Sequence, residues 1–318
     1  MRLCRLLVVG APPAAAALAV STFCFQVTNA FVVAPHDPLL RTPPTTTTTT
    51  TTTRLQSSLQ QWGAVQEGEL FPLAQELFPN AITYNEFLTY IVDTLVQSNF
   101  DISKTVLGTS LCGDELNRPL EQLLKKIFGA NNQIGGMAGC PLGGVTSFRK
   151  MKSAVDPNGG NCVIVQGTHA GISSQGQVGS GERPNKQGEG DLCCASAILA
   201  SQYVSGVYNG AIAREASPAN PMDASQFLVQ EMLLPHAQRL EESQNKMIEL
   251  PYVLYEEQLG FLKQIIADGS QQQGEQQPGQ VAVFGGIALN TPPGYVDYFV
   301  PLNGNLYGPD GANTWSYF

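Results

Sequence analysis

Seven residues, Thr105 to Leu111, form a short apolar, β-branched run of strand length, and helical leucine spacing begins almost at once behind it. Leu116, Leu120, Leu123, Leu124 and Ile127 recur at that spacing, which predicts a helix over 114–128. Cys112 falls at the junction. In open α/β sheets that carboxyl edge of a strand is where ligands bind.

The same alternation continues downstream. A Gly-rich stretch, 135–144, precedes a second predicted strand over 161–166, whose C-terminal end delivers Thr168 and His169. A polar Gly-rich loop, 171–190, leads to Cys193 and Cys194. The segment 195–208 reads as a buried helix, 223–250 as a long helical region, and 252–266 as another helix beyond Pro251. A polar loop over 271–280 precedes a core strand at 281–289. Upstream, 85–99 carries Phe87, Leu88, Ile91, Val92 and Leu95 on one helical face. Strands alternating with helices predict an α/β fold, a central sheet flanked by helices. No internal repeat is present.

The N-terminus reads as an address. Arg2 and Arg5 precede an apolar run from Leu6 to Phe25, broken by Pro12 and Pro13, and Val27-Thr28-Asn29-Ala30 offers a small-residue cleavage site. We therefore expect a signal peptide over 1–30. Phe31 and Ala34-Pro35 follow directly, and 31–58 is Thr-rich, with nine consecutive threonines from Thr45 to Thr53. This resembles the bipartite presequence of algae with complex, red-derived plastids, and a secreted protein with a Thr-rich stalk is the alternative. The expectation is a plastid transit peptide over 31–58 and a catalytic domain over 59–318. Without the first 58 residues the chain keeps 13 basic and 25 acidic residues. Such a balance argues against nucleic acid and against an anionic membrane as partners of the mature form.

Five cysteines remain past the leader: Cys112, Cys140, Cys162, Cys193 and Cys194. An odd number at irregular spacing is a poor disulfide framework, so metal ligation or burial is expected. Histidine is scarce: only His36, His169 and His236. Cys112, His169 and one cysteine of the 193–194 pair form a Cys2His set, an accepted catalytic zinc site with one open position. Their gaps, 57 residues and about 25, match no short motif. The strength of the set lies in its placement beside strand ends. Asp114 and Arg118, four apart at a predicted helix start, share a face. The carboxylate can take the hydrogen of a zinc-bound hydroxide while the guanidinium orients it. Leu111 and Ile172 are candidates for shaping an apolar substrate pocket. No HExxH or similar hydrolase motif occurs.

Five segments in order resemble the limiting-CO2-inducible protein B/C family of algae, which includes the theta-type carbonic anhydrases. They are Cys112-Gly113-Asp114-Glu115 with Arg118; Gly135-Gly136-Met137-Ala138-Gly139 with Pro141; Thr168-His169-Ala170-Gly171-Ile172; Cys193-Cys194-Ala195; and Gly285-Gly286-Ile287 with Asn290-Thr291 and Asp297-Tyr298-Phe299. The resemblance covers about 62–318. It implies a β-carbonic-anhydrase-like fold, a homodimer, and one zinc held by Cys112, His169 and Cys194, with Asp114 and Arg118 as a catalytic dyad. Cys194 is preferred to Cys193 because the family's ligand precedes small residues, here Ala195 and Ser196. The implied activity is interconversion of CO2 and bicarbonate in a plastid CO2-concentrating system. The alternative is a non-catalytic zinc-binding member of the same fold, a structural or regulatory partner in which Asp114 closes the fourth zinc position.

Overall fold

The structure, a computed structural model, describes residues 70–183, 189–271 and 279–316. The expected signal and transit peptides, the start of the catalytic domain at 59, and most of the 271–280 loop lie outside the described residues.

Chain order gives α1 (Leu70–Leu77), β1 (Ile82–Thr83), α2 (Tyr84–Gln97), β2 (Thr105–Leu111), α3 (Arg118–Phe128), β3 (Asn131–Gln133), α4 (Gly144–Lys152) and β4 (Asn161–Gly171). There follow β5 (Ser180–Glu182), β6 (Glu189–Asp191), α5 (Ala195–Tyr208), α6 (Ala224–Leu233), α7 (Ala237–Glu242), α8 (Lys246–Ser270), β7 (Val281–Asn290), β8 (Tyr298–Tyr307) and β9 (Asn313–Ser316). The main sheet has the order β1-β8-β7-β4-β2-β3, with β9 also on β8. Strands β3, β2, β4 and β7 are parallel, while β8 runs antiparallel to β7. β5 and β6 form a separate hairpin.

Both faces of the parallel strands are covered, which is why they read as apolar runs. Val163, Val165 and Phe284 pack with Phe87, Leu88 and Leu120 from α2 and α3. Cys162, Ile164 and Val283 point the other way, onto Phe148 of α4 and Leu262 and Ile266 of α8. A third core, built from α5, α6, α7 and α8, sits with Cys112, Cys140 and Cys194.

Local sequence explains several boundaries. α2 starts at a capping box: Thr83 Oγ1 accepts from the Glu86 N–H and Glu86 Oε2 accepts from the Thr83 N–H. The helix expected over 114–128 divides. Glu115–Asn117 is a 3-10 turn capped by Asp114, and the α-helix begins at Arg118 with Pro119 in its first turn, where its missing N–H costs nothing. The strand expected to end at 166 continues to Gly171, because Gly167 through Gly171 pair with Gly286 through Asn290 of β7. His169 is therefore inside a strand near its end, not beyond it. The long helical region breaks at Ser243, in extended geometry, and not at Pro251. Asn245 Oδ1 then caps a new helix that runs through Pro251. β8 escapes sequence reading because Pro301, Asn303, Gly304 and Asn305 look like a turn. Its pairing with β7 tolerates Pro301 beside a bulge at Gly285/Gly286. A Cβ at Gly286 would lie 1.9 Å from the Val300 carbonyl oxygen, so only glycine fits there.

Candidate metal centre

Leu111, the last residue of β2, pairs with Gly167 of β4, so Cys112 and His169 emerge at one sheet edge. Cys194 joins them as the N-terminal flanking residue of α5. The candidate ligand atoms of Cys112, His169 and Cys194 all lie within 4.8 Å of one another, and all three residues are buried. Cys193 points instead into the core under β7 and β8, with Ile287 and Tyr298. The two adjacent cysteines thus serve different cores.

The donor set fits a zinc ion. Two thiolates bound tetrahedrally at ordinary Zn–S lengths stand about 3.8 Å apart, and the Cys112 and Cys194 sulfurs are 3.7 Å apart. His169 Nε2 is buried with no hydrogen-bond partner. A buried nitrogen left bare costs free energy unless something binds it. The two thiols also lose their first proton readily. A hydrogen bond from the Cys194 thiol, opposed by burial and helped by the His169 ring, brings Cys112 down to about 4. Cys194 is pushed far up by that same contact and then by burial. A thiolate is therefore available for a cation.

Asp114 and Arg118 do not pair. Arg118 donates to Glu121 Oε2 at 2.7 Å and to the Gly113 carbonyl at 3.3 Å, which braces the turn below Cys112. Asp114 Oδ1 accepts instead from Arg183 Nη2, at 2.7 Å, and from the Leu116 N–H, at 3.1 Å. Arg183 follows β5 and also reaches Glu115 Oε1. Burial raises the Asp114 carboxyl above the usual range, while the backbone N–H of Leu116 and the Arg183 guanidinium oppose that shift. No sequence signal pointed to Arg183, which stands alone in a Gly-rich polar loop.

Two further residues were invisible as site components. Asn290, at the end of β7, has its Oδ1 3.0 Å from His169 Nδ1 and donates through Nδ2 to the Leu116 carbonyl. Gln258 of α8 is fully buried and donates to the Ala138 carbonyl and to Cys140 Sγ. It holds the Gly-rich stretch against the sheet edge, where Gly139 (φ +82°) has no space for a side chain below the Gly167 carbonyl. Thr168 Oγ1 donates to the Pro251 carbonyl and so fastens α8 beside the site.

A cavity of about 10 Å³ adjoins His169, Cys193 and Cys194, lined mostly by apolar side chains that include Ala138, Ala197, Leu250 and Leu254. Leu111 and Ile172, the sequence candidates for such a pocket, are not among its lining residues. Leu111 packs in the core below α2 and α3, and Ile172 packs with Phe78 and Ala170. No helix among the described residues is long and apolar enough to cross a membrane.

A parallel-centred sheet with a Cys2His cluster at its carboxyl edge defines an α/β protein of the β-carbonic-anhydrase-like class with a metal-competent site. The model of the limiting CO2-inducible proteins B/C beta carbonic anhydrases matches residues 81–308, and the chain belongs to that family. The crystal structure of PtLCIB4, a homolog of the limiting CO2-inducible protein LCIB, is 34% identical, covers 78% of this chain and 99% of its own, and superposes with a TM-score of 0.70. The crystal structure of LCIB shares the fold at 19% identity, covering 75% of this chain and 95% of its own, with a TM-score of 0.58. None of the curated proteins compared with the chain matches it.

Proposed function

We propose that this protein is a zinc carbonic anhydrase that interconverts CO2 and bicarbonate. The observation that carries the reading is the buried Cys112–His169–Cys194 cluster, whose sulfur separation and bare Nε2 suit a tetrahedral cation with one position left for water. Zinc bound there supplies Lewis-acid activation of water near neutral pH. The chain's own residues do the rest. Cys112, His169 and Cys194 hold the ion. Asp114 stands two residues from the first ligand and accepts a hydrogen of the attacking water, so that a lone pair faces the substrate carbon. Arg183 and the Leu116 N–H, both on Oδ1, keep that carboxylate turned. The cavity beside His169 is lined mostly by apolar side chains and has room for about one water-sized molecule.

The alternative is a non-catalytic zinc protein in which Asp114, whose Oδ1 already accepts from Arg183 and the Leu116 N–H, closes the fourth position through its other oxygen. Zinc content and stopped-flow CO2 hydration of the full chain test the reading, before and after treatment with a chelator. About one zinc per chain together with chelator-sensitive hydration supports it. One zinc with no hydration selects the non-catalytic reading, and no zinc at all removes both.

The same proposal includes a homodimer and a plastid location, for which the residues 1–58 and the family membership are the support. Light scattering tests the first. Import of a fluorescent protein fused after Ser58 tests the second, with Phe31→Ala expected to block import.

A further inference from the structure

We propose that Asn290 is a positioning residue that fixes which nitrogen of His169 carries the proton and ties that ring to the turn bearing Asp114. The inference rests on the zinc reading above and deepens it.

The argument is one of donors and acceptors. Asn290 is buried at the end of β7, 2% exposed. One end of its amide lies 2.9 Å from the Leu116 carbonyl oxygen. A carbonyl only accepts, so that end is the NH2 group. A flipped amide would set two carbonyl oxygens against each other at a buried position. The other end is therefore Oδ1, an acceptor, and it lies 3.0 Å from His169 Nδ1. His169 must then carry its proton on Nδ1 and donate it to Asn290. A neutral imidazole has one N–H and one lone pair, so the lone pair falls on Nε2. That is the buried atom with no hydrogen-bond partner. Nε2 is thus the ligand atom, and Asn290 makes it so.

The same amide couples two parts of the site through a single residue. Leu116 gives its carbonyl to Asn290 Nδ2 and its N–H to Asp114 Oδ1. Ring, amide, Leu116 and carboxylate form one chain of hydrogen bonds. The backbone beside Asn290 is pinned too, because Asp297 Oδ1 accepts from both the N–H and the hydroxyl of Thr291, the next residue. Partners of this kind that hold a metal-binding histidine ordinarily contribute about 10- to 100-fold in metal affinity.

Two substitutions in the full chain separate this role from general damage. Asn290→Ala removes both bonds. It should weaken binding of zinc alone, titrated against a competing chelator, by about 10- to 100-fold. Asn290→Asp keeps an acceptor for the Nδ1 proton and loses the donor to Leu116. It should restore zinc affinity to within about three-fold of the original while kcat stays at least about ten-fold low, because the Asp114 turn is untethered. In the zinc-loaded parent, nitrogen NMR should report His169 with a protonated Nδ1 and a coordinated Nε2. Unchanged zinc affinity in Asn290→Ala overturns the proposal, and so does coordination through Nδ1. A parent chain that takes up no zinc overturns this inference together with the zinc reading. A parent that binds zinc beside an indifferent Asn290→Ala overturns this inference alone.

Discussion

Replacing Arg183 with alanine strips Asp114 of one of its two Oδ1 partners and leaves every candidate zinc ligand in place. The guanidinium lies 2.7 Å from Asp114, and each side chain of the pair is only 13% exposed. Such a pair falls between an exposed ion pair, worth under about 1 kcal/mol, and a buried one, whose rupture costs about 3–5 kcal/mol. We take about 2 kcal/mol for the lost orientation. If that orientation matters only while water attacks, kcat falls about 30-fold and zinc content does not change. Arg118→Ala should behave in the opposite way. Its guanidinium is half exposed, but its partner Glu121 is 2% exposed and has a second oxygen with no hydrogen bond. Stripping that buried carboxylate costs about 1–3 kcal/mol of stability, a fall in Tm of about 2–4 °C for each kcal/mol. Its kcat should stay within about three-fold, since Arg118 donates to Glu121 and the Gly113 carbonyl and not to Asp114. Stopped-flow hydration, metal analysis and thermal melts on both variants decide the matter. A fully zinc-loaded Arg118→Ala enzyme with a 30-fold lower kcat, beside a near-normal Arg183→Ala, would return the guanidinium role to Arg118 and refute the reasoning.

Two further outcomes follow from the geometry. Cys194→Ser should lose most of its zinc and its hydration activity, whereas Cys193→Ser, altered in a separate core, should retain both; metal analysis of the two proteins checks this, and the reverse result would reassign the ligand. Burial pushes Asp297 up to about 6 against the bonds from Thr291, above the ordinary carboxylate value near 4. The fold therefore favours its protonated form, and that contribution is full below about pH 4 and lost as pH rises through about 6. Asp297→Asn keeps an oxygen for Thr291 and removes the charge. Melts should show the variant more stable than the parent at pH 8, by at most about 2–3 kcal/mol, and not at pH 4. Identical pH dependence in the two proteins would show that burial at Asp297 has no such cost.

Much of the fold was legible because local and tertiary signals agree in the central elements. The apolar run of β2 and the small-residue helix α5 begin and end where the sequence places them. In both, residue type alone sets the boundary. Elements whose cause lies elsewhere in the chain were hidden. The last five residues of β4 contain Gly, Thr and His, and beyond Gly167 they are strand because β7 pairs with them. β8 carries a proline and two asparagines that a bulge absorbs. The same division governs the site. Cys112, His169 and Cys194 could be named from type, scarcity and family pattern. The partner of Asp114 could not be, because sequence spacing offered Arg118 four residues away while the fold delivers Arg183, 69 residues away. Asn290 was quoted as a motif residue, but its task depends on a contact across 121 positions.

The spread of the site along the chain bears on how the protein assembles. The two sulfurs are 82 positions apart, and β2, β4 and β7 must lie in register before the donors meet. Parallel pairing across long loops forms late, since the entropy of closure is spent before contacts repay it. A small zinc module, by contrast, gathers its ligands from a few neighbouring turns and folds around the ion. An ion bound by these donors would act only on a sheet that already exists, as a clasp and not as a seed. Refolding rates measured with and without zinc should therefore coincide, while unfolding slows when zinc is present.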